Sequence, residues 1–316
     1  MQAAAAYLID LVVGDPRWLP HPVVVIGKGI SLLEGFLRRW AAPLVGLKAA
    51  GVLLTSFIVA GSYLVTWAAV EGLALIHPYL GLAVGVWLIS TTIAAKGLAQ
   101  AGLEIRDLLA QGNLAGARIK VGWIVGRDTQ NLDEGEITRA TVETVAENIV
   151  DGIVAPLFYA FIGGAPLAMA YRATNTLDSM VGYKNEKYLD LGWASARFDD
   201  LANLIPARLT GIFLVLAAWI CGVNGCRAIK IQLRDAAKHP SPNSGYPESA
   251  VAGALGIRLG GQNYYGGQPS FRAYMGDALE PLEGRHIGLT VRLMYVTSAL
   301  MVLAGIAISY QLIAYN

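Results

Sequence analysis

The sequence predicts an all-α, polytopic integral membrane protein with broken or re-entrant helices and large polar connecting segments. Three observations predict this fold class. Hydrophobic residues make up 55% of the 316 residues and charged residues only 15%, whereas a typical soluble domain is roughly 25% charged. Several apolar stretches approach the length of about 20 residues that crosses the hydrocarbon core of a bilayer. Other stretches are interrupted by Gly, Pro or Arg, which membranes tolerate where a helix lines a protein cavity.

Composition also bears on partners and domains. The net charge is +1 and no Lys- or Arg-rich run occurs, so the chain has no expected nucleic-acid surface. Cys221 and Cys226 have no second pair to complete a zinc site and are expected to be unpaired. No Ser, Gly or Pro linker and no internal repeat divides the chain, so residues 1–316 are expected to form a single integral membrane domain.

The expected spans fall into two groups. Three apolar stretches qualify well as spanning helices, namely residues 51–70, 80–95 and 288–309. Two weaker stretches are expected to build a site: residues 153–171, broken by Gly163, Gly164 and Pro166, and residues 204–222, which contain Pro206 and Arg208.

Basic residues predict the orientation of the chain. Lys and Arg cluster before the first clear span and after the second, so both flanks are expected to be cytoplasmic. Residues 172–203 and 223–285 are also basic, yet one full crossing between them forbids placing both inside. Either residues 204–222 are re-entrant or buried, or one of the two polar regions faces out.

The polar segments have their own expected elements. Residues 96–122 are typical of a helical hairpin that turns near 111–113. Thr129 or Asn131 is expected to cap the helix that follows. Residues 223–285 are expected to be a basic helix and then ordered loops through HPSPNSGYPES and LGGQNYYGG.

An acidic stripe precedes the first broken stretch. Glu143, Glu147 and Asp151 recur every four residues and would share one helix face. The stripe is either a solvated face or, together with Asn175 and Asp178 further on, a set of oxygen ligands suited to magnesium.

Cations and amides follow the acids. The cations are either membrane-flanking anchors or phosphate ligands; they are Arg172, Lys184, Lys187, Arg197 and Arg208. Asp199, Asp200 and Asn203 can share a face across one helical turn. No Walker motif or HExxH spacing occurs, and His239 lies in a stretch that turn chemistry alone would explain.

Four motifs in order resemble a known family. They are GDPRWLPHPVVVIGKGI, GRDTQNLDEGEITRATVETVAENIVDGIVAPLFY, YRATNTLDSMVGYKNEKYLDLGWASARFDDLANLIPARLTG and HPSPNSGYPESAVAGALGIRLGGQNYYGG. Together they resemble the CbiB-type membrane synthases of cobalamin biosynthesis, the adenosylcobinamide-phosphate synthases. The resemblance runs from about residue 10 to the last span.

The resemblance implies a ligase reaction in the cell (cytoplasmic) membrane, with the active site on the cytoplasmic side. ATP, with Mg²⁺, would drive amidation of the free propionate of adenosylcobyrate by an aminoalcohol, expected to be 1-amino-2-propanol phosphate. The intermediate would be an acyl phosphate or an acyl adenylate, the former being favoured. Expected partners are the corrinoid, the aminoalcohol phosphate and the lipid bilayer. A homo-oligomer or association with later membrane enzymes of the pathway is a further expectation.

The resemblance and the residue types together imply four sets of site residues. The expected metal ligands are Glu143, Glu147, Asp151 and Asp178. The expected ATP- or phosphate-binding residues are Arg172, Lys184, Arg197, Asn203 and Arg208. The expected catalytic residues, which orient the reacting groups or accept the amine proton, are Asn148, Asn175, Asp199 and Asp200. The residues expected to cover the corrinoid are His239, Asn243, Ser244, Glu248, Tyr264 and Tyr265.

Three alternatives compete with the synthase. A membrane sensor of the AmpE type is expected to have lost the polar motifs quoted above. A transporter also uses broken helices with charges, but the missing repeat and the large polar segments count against it. A phosphatidyl-alcohol transferase, which Asp151-Gly152 would start, lacks the spaced aspartates that must follow.

Overall fold

The computed structural model describes residues 1–15, 21–183 and 185–314. It is almost entirely helical. The α-helices are α1 Gln2–Val12, α2 Pro22–Trp40, α3 Ala42–Val45, α4 Leu47–Ile76, α5 Pro78–Ser90, α6 Ala95–Ala110, α7 Leu114–Val121, α8 Glu134–Ile149, α9 Ala155–Val181, α10 Trp193–Ala202, α11 Leu204–Ile220, α12 Gly225–Asp235, α13 Gly245–Leu255 and α14 Arg285–Ala314. A π-helical turn, Val150–Val154, follows α8, and a 3₁₀ turn, Ala236–Lys238, follows α12. Strands β1 Leu259–Tyr265 and β2 Gln268–Met275 form one hairpin.

The helices confirm the predicted polytopic membrane fold. Within the described ranges, four helical segments are long and apolar enough to cross a membrane: Leu47–Ile76, Pro78–Ala110, Glu134–Val181 and Arg285–Gln311. The second segment combines α5 and α6, and the third combines α8, the π-helical turn and α9. These four contain the three strong predicted spans and the weaker residues 153–171. A fifth candidate is the pair α10 and α11, which is bent by 44° at its break. Residues 204–222 therefore belong to a broken span or a re-entrant loop, as the sequence predicts.

One compact unit comprises residues 1–94, 155–203 and 302–316. Its core lies where α4 packs on α2 and α9, around buried Leu54 and Leu177. Gly51 permits a close approach here, because a Cβ at this position would lie 2.1 Å from the carbonyl oxygen of Leu191. The predicted break in α9 is confirmed, since Gly163 and Gly164 have non-helical backbone angles.

The other unit comprises residues 95–154 and 204–301. Helices α6 and α7 form the predicted hairpin, with Gly112 at φ +70° in its turn, and both pack against α8. Helix α13 is almost wholly buried against α11 and α12. A Cβ on Gly253 would lie 2.7 Å from the carbonyl oxygen of Arg227, so this glycine sets the close packing of α12 and α13. The expectation of a single domain for residues 1–316 stays a prediction.

Three local expectations are wrong. The last five residues of HPSPNSGYPES, 245–249, are not a loop but the start of helix α13. The N-cap of α8 is neither Thr129 nor Asn131 but Asp133, whose carboxylate accepts from the backbone N–H of Glu136 at 2.8 Å. The segment LGGQNYYGG is not a loop but strand β1 and its turn. Gly266 and Gly267, at φ +57° and +77°, form the two-residue turn in which both positions need positive φ.

Candidate functional site

A buried carboxylate organises the first part of the site. Glu143, on α8, is 2% exposed. Its Oε2 accepts from Arg127 Nη2 at 2.5 Å, and its Oε1 accepts from Arg139 Nη1 at 3.1 Å. The same Oε1 accepts from the backbone N–H of Gly260 at 2.8 Å. Glu143 therefore fixes two arginines and the start of the hairpin, so most of its acceptor capacity is already used within the chain.

The other acids of the stripe have different surroundings. Glu147 is half-buried, and its Oε1 accepts from Ser244 Oγ at 3.0 Å. Asp151 lies in the π-helical turn rather than on the regular face of α8. Within the described residues, no three His, Cys, Asp or Glu side chains are grouped to hold a metal ion. Mg²⁺ commonly needs only one or two carboxylates, together with phosphate oxygens and water.

Arg208 connects α11 to the segment before α13. Its Nη1 donates to the carbonyl oxygen of Leu204 and to Asn243 Oδ1, both at 2.8 Å. Its guanidinium lies 4.5 Å from the centre of the Tyr246 ring, within the range of a cation–π contact. Arg208 is therefore half-buried and oriented by three neighbours, with part of its fork still able to meet another group.

His239 and Glu248 form a buried pair beside the stripe. His239 Nε2 lies 3.5 Å from Glu248 Oε1, and both side chains are almost fully buried. The backbone N–H of Ser241 donates to His239 Nδ1 at 3.0 Å, which favours the neutral ring with its proton on Nε2. Burial lowers the pKa of His239. Burial, followed by the charges of Glu143 and Glu147, raises the pKa of Glu248 well above its usual value.

A cavity of about 840 Å³ lies between the start of α8 and the hairpin. Its walls come from residues 127–133, α8, the hairpin and residues 278–282. Asp128 ties two walls together, because its carboxylate accepts from the backbone N–H groups of Gly266 and Gly267 at 3.0 and 2.7 Å. Of the residues expected to cover the corrinoid, Tyr264 lines this cavity.

The 155–203 part of the chain contains a second polar group. Asp199 Oδ2 accepts from Asn203 Nδ2 at 3.0 Å, and Asn203 Oδ1 accepts from the Tyr171 hydroxyl at 2.8 Å. The Tyr171 ring stacks on Tyr159 with centroids 5.1 Å apart, and Tyr159 donates to the carbonyl oxygen of Ala202. Asp199 and Asn203, which the sequence predicts to share a helix face, therefore belong to one buried network.

The remaining predicted residues lie in smaller contacts. Arg172 Nη1 lies 3.4 Å from Asn175 Oδ1, and exposed Arg197 lies 3.6 Å from Asp200. Asn148 donates to the carbonyl oxygen of Thr144. Asp178 lies near the end of α9, Tyr265 at the end of β1, and Lys184 lies outside the described residues.

Sequence reasoning missed much of the cavity. Arg127 is one of the basic residues that follow the second predicted span and has no predicted role in the site, and Asn263 lies in a segment expected to be a loop. The available signal was the motif GRDTQNLDEGE, in which a basic residue and several amides immediately precede the acidic stripe. The two cysteines are unpaired as predicted, with Cys221 buried and Cys226 exposed.

The apolar helices and the buried charged groups define a polytopic α-helical membrane protein. The chain belongs to the CobD/CbiB family, since the profile described as CobD/Cbib protein matches residues 3–294. The cobalamin biosynthesis protein CobD of Geobacter metallireducens is 54% identical over 298 residues, covering 94% of this chain and 93% of the relative.

Other relatives agree. CobD of Pelobacter propionicus is 52% identical and covers 96% of this chain and 93% of its own length. The cobalamin biosynthesis protein CbiB of Salmonella typhimurium is 48% identical, over 93% of this chain and 92% of its own. No solved structure matches the chain. The resemblance read from the four motifs is confirmed, and the chain has a role in cobalamin biosynthesis.

Proposed function

We propose that this protein is an ATP-dependent adenosylcobinamide-phosphate synthase, which joins 1-amino-2-propanol phosphate to the free propionate of adenosylcobyrate. The observation that carries the proposal is a cavity with arginine and amide walls, next to a buried acid network, in a chain of the CobD/CbiB family. Anionic substrates need such donors, and the volume lies within the usual 300 to 1,000 Å³ or so of a small-molecule site.

The reaction has two balanced steps. The propionate oxygen attacks the γ-phosphorus of ATP, forming an acyl phosphate and releasing ADP. The amine nitrogen then attacks the acyl carbon, the C–N bond forms, inorganic phosphate leaves and the amine loses a proton to a base. Charge develops on phosphate and carbonyl oxygens in both steps, so preorganised cationic donors stabilise both transition states.

The side chains of this chain supply binding and proton transfer. Arg208 would contact a phosphate with the part of its fork not used on Leu204 and Asn243. Glu147, half-buried with one oxygen on Ser244, would face a cation or accept a proton. A magnesium ion would enter with the nucleotide phosphates and neutralise part of their charge.

The test of the reaction uses the purified, detergent-solubilised protein. It is incubated with adenosylcobyrate, Mg-ATP and each candidate aminoalcohol phosphate in turn. The expected result is a corrinoid product whose mass has increased by the aminoalcohol phosphate less one water, with one ATP consumed per amide. An unchanged corrinoid with every aminoalcohol, and intact ATP, would overturn the proposal.

We further propose that the protein resides in the cytoplasmic membrane with residues 223–285 on the cytoplasmic side. The basic composition of this segment supports the assignment. Cys226 is a native reporter, because it is exposed at the start of α12 whereas Cys221 is buried. A membrane-impermeant maleimide should label inverted vesicles but not intact spheroplasts, with Cys226→Ser as the control. Labelling from the spheroplast exterior would contradict the orientation.

A further inference from the structure

The cavity between α8 and the hairpin holds two buried donors with unmet hydrogen-bonding capacity. Arg127 is 9% exposed and Asn263 is 3% exposed, and both line the cavity. Arg127 Nη1 and Asn263 Nδ2 have no hydrogen-bond partner among the described residues. Leaving a buried donor unsatisfied costs about 1 to 3 kcal/mol, more for a charged group, so such atoms are rare in folded proteins and call for a partner.

The other ends of both side chains are fixed. Arg127 Nη2 donates to Glu143, and Asn263 Oδ1 accepts from Arg139 Nη2 at 3.0 Å. Because Asn263 Oδ1 accepts from Arg139, the orientation of the Asn263 amide is fixed. Its NH₂ group is then available as a hydrogen-bond donor. Two donors held in place by their own second contacts are suited to a ligand oxygen.

The acids around the cavity are already engaged. Asp128 accepts from Gly266 and Gly267, Asp133 caps α8, and Glu280 pairs with Arg285. Glu136 pairs with Arg139. Each wall carboxylate therefore already has at least one donor or cationic partner, whereas Arg127 Nη1 and Asn263 Nδ2 have none among the described residues, and an oxyanion would satisfy both.

The walls and the volume indicate the rest of the ligand. About 840 Å³ is far more than one phosphate group fills. Tyr264 and Tyr274 line the cavity, and the Arg258 guanidinium lies 4.2 Å from the centre of the Tyr274 ring. Aromatic and guanidinium planes stack on purine bases, and amide side chains supply hydrogen bonds to a base or ribose.

We propose that this cavity is the nucleotide subsite, in which Arg127 Nη1 and Asn263 Nδ2 bind a phosphate of ATP. This inference rests on the proposed function and assigns one of its substrates to residues outside the set implied by the family motifs. The aminoalcohol phosphate is a much smaller molecule that also carries a phosphate group. The test must therefore distinguish binding of ATP from binding of the aminoalcohol phosphate in this cavity.

Two variants remove one donor each and keep the contact that fixes the side chain. Asn263→Asp retains an acceptor for Arg139 and replaces the NH₂ group by a repelling oxygen. Arg127→Lys keeps a positive charge beside Glu143 but has a single terminal nitrogen, so the donor corresponding to Nη1 is lost. Asn113→Asp is the matched control, because Asn113 caps α7 by accepting from Gly116 N–H and aspartate caps equally well.

The measurement is equilibrium binding of Mg-ATP, and separately of 1-amino-2-propanol phosphate, to the detergent-solubilised full chain without corrinoid. Each site variant should bind Mg-ATP about 10- to 100-fold more weakly, the loss expected for one hydrogen bond to a charged group. Asn113→Asp should bind like wild type, and melting temperatures check folding. Wild-type affinity for Mg-ATP in Asn263→Asp, or a loss confined to the aminoalcohol phosphate, would overturn the assignment.

The same variants separate this inference from the proposed reaction. If Mg-ATP binding weakens in the variants but the wild-type protein forms no amide, the subsite stands and the synthase proposal fails. If amide forms and both variants keep the wild-type KM for ATP, the synthase stands and the subsite is refuted.

Discussion

Replacing Glu143 by Gln is expected to destabilise the protein strongly. The substitution keeps the volume and one acceptor oxygen but removes the charge that Arg127 and Arg139 share. Its NH₂ group would then face a guanidinium donor in a site where the carboxylate is 2% exposed. Removing one partner of a buried ion pair costs about 3 to 5 kcal/mol, because the remaining charge is left buried without compensation.

The assay is thermal unfolding in detergent, with Glu136→Gln as the matched control. Glu136 lies on the same helix and pairs with the same Arg139, but its side chain is 39% exposed. Glu136→Gln would leave no buried charge without a partner, because Glu136 reaches solvent and Arg139 keeps Glu143. The loss should therefore be near the value of a surface pair, about 1 kcal/mol or less. At about 2 °C per kcal/mol, the low end of the scale for long chains, Glu143→Gln should lose about 6 to 10 °C and Glu136→Gln at most about 2 °C. Equal losses of melting temperature in the two variants would refute the view that burial makes the Glu143 ion pairs more important for stability than the Glu136 pair.

Three further changes test the neighbouring residues. Glu147→Gln should abolish synthase turnover with little change in melting temperature, since the glutamine oxygen can still accept from Ser244 Oγ; wild-type turnover would show that the acid has no role in the reaction. Arg208→Lys should insert normally but raise the KM for ATP or the aminoalcohol phosphate, because lysine keeps a point charge and loses the planar fork over Tyr246; unchanged kinetics would make it a membrane anchor. For Glu248 the folded-state pKa is raised, so the folded state retains a proton that the unfolded chain releases above about pH 4.5, and stability falls as pH rises. Glu248→Gln should therefore gain melting temperature relative to wild type as the pH rises above about 4.5, and a pH-independent difference would contradict this sign.

Hydrophobic length and helix breakers account for the part of the fold that the sequence predicted. Residues 51–70 and 288–309 are apolar over a full bilayer thickness, and Gly163 and Gly164 cannot continue a helix at their observed angles. The N-cap of α8 was misplaced because Thr129, Asn131 and Asp133 are all good capping types, and only the geometry of the first turn selects one. Strand β1 was missed because its glycines disfavour strands in isolation.

The sequence predicted only part of the site, because contacts between residues far apart in the chain cannot be deduced from spacing. The spacing of Glu143, Glu147 and Asp151 placed them near the site, but spacing on one helix does not reveal what packs against it. Arg127 precedes Glu143 by sixteen residues and Gly260 follows it by more than a hundred, so their contacts depend on tertiary structure. Asn263 becomes a candidate ligand-binding residue only once its hydrogen bond from Arg139 is known, because that bond fixes the orientation of its amide.

The way the hairpin is held has a consequence for sequence divergence in the family. A two-stranded hairpin alone is marginally stable, and the side chains of Asp128, Arg139 and Glu143 hold this one largely through its main-chain N–H and C=O groups. Most side chains of β2 are exposed. Apart from its glycines, Asn263 and the two cavity-lining tyrosines, Tyr264 and Tyr274, the hairpin should therefore vary in sequence while keeping its position. The three charged residues that hold it, all distant in the chain, should not vary.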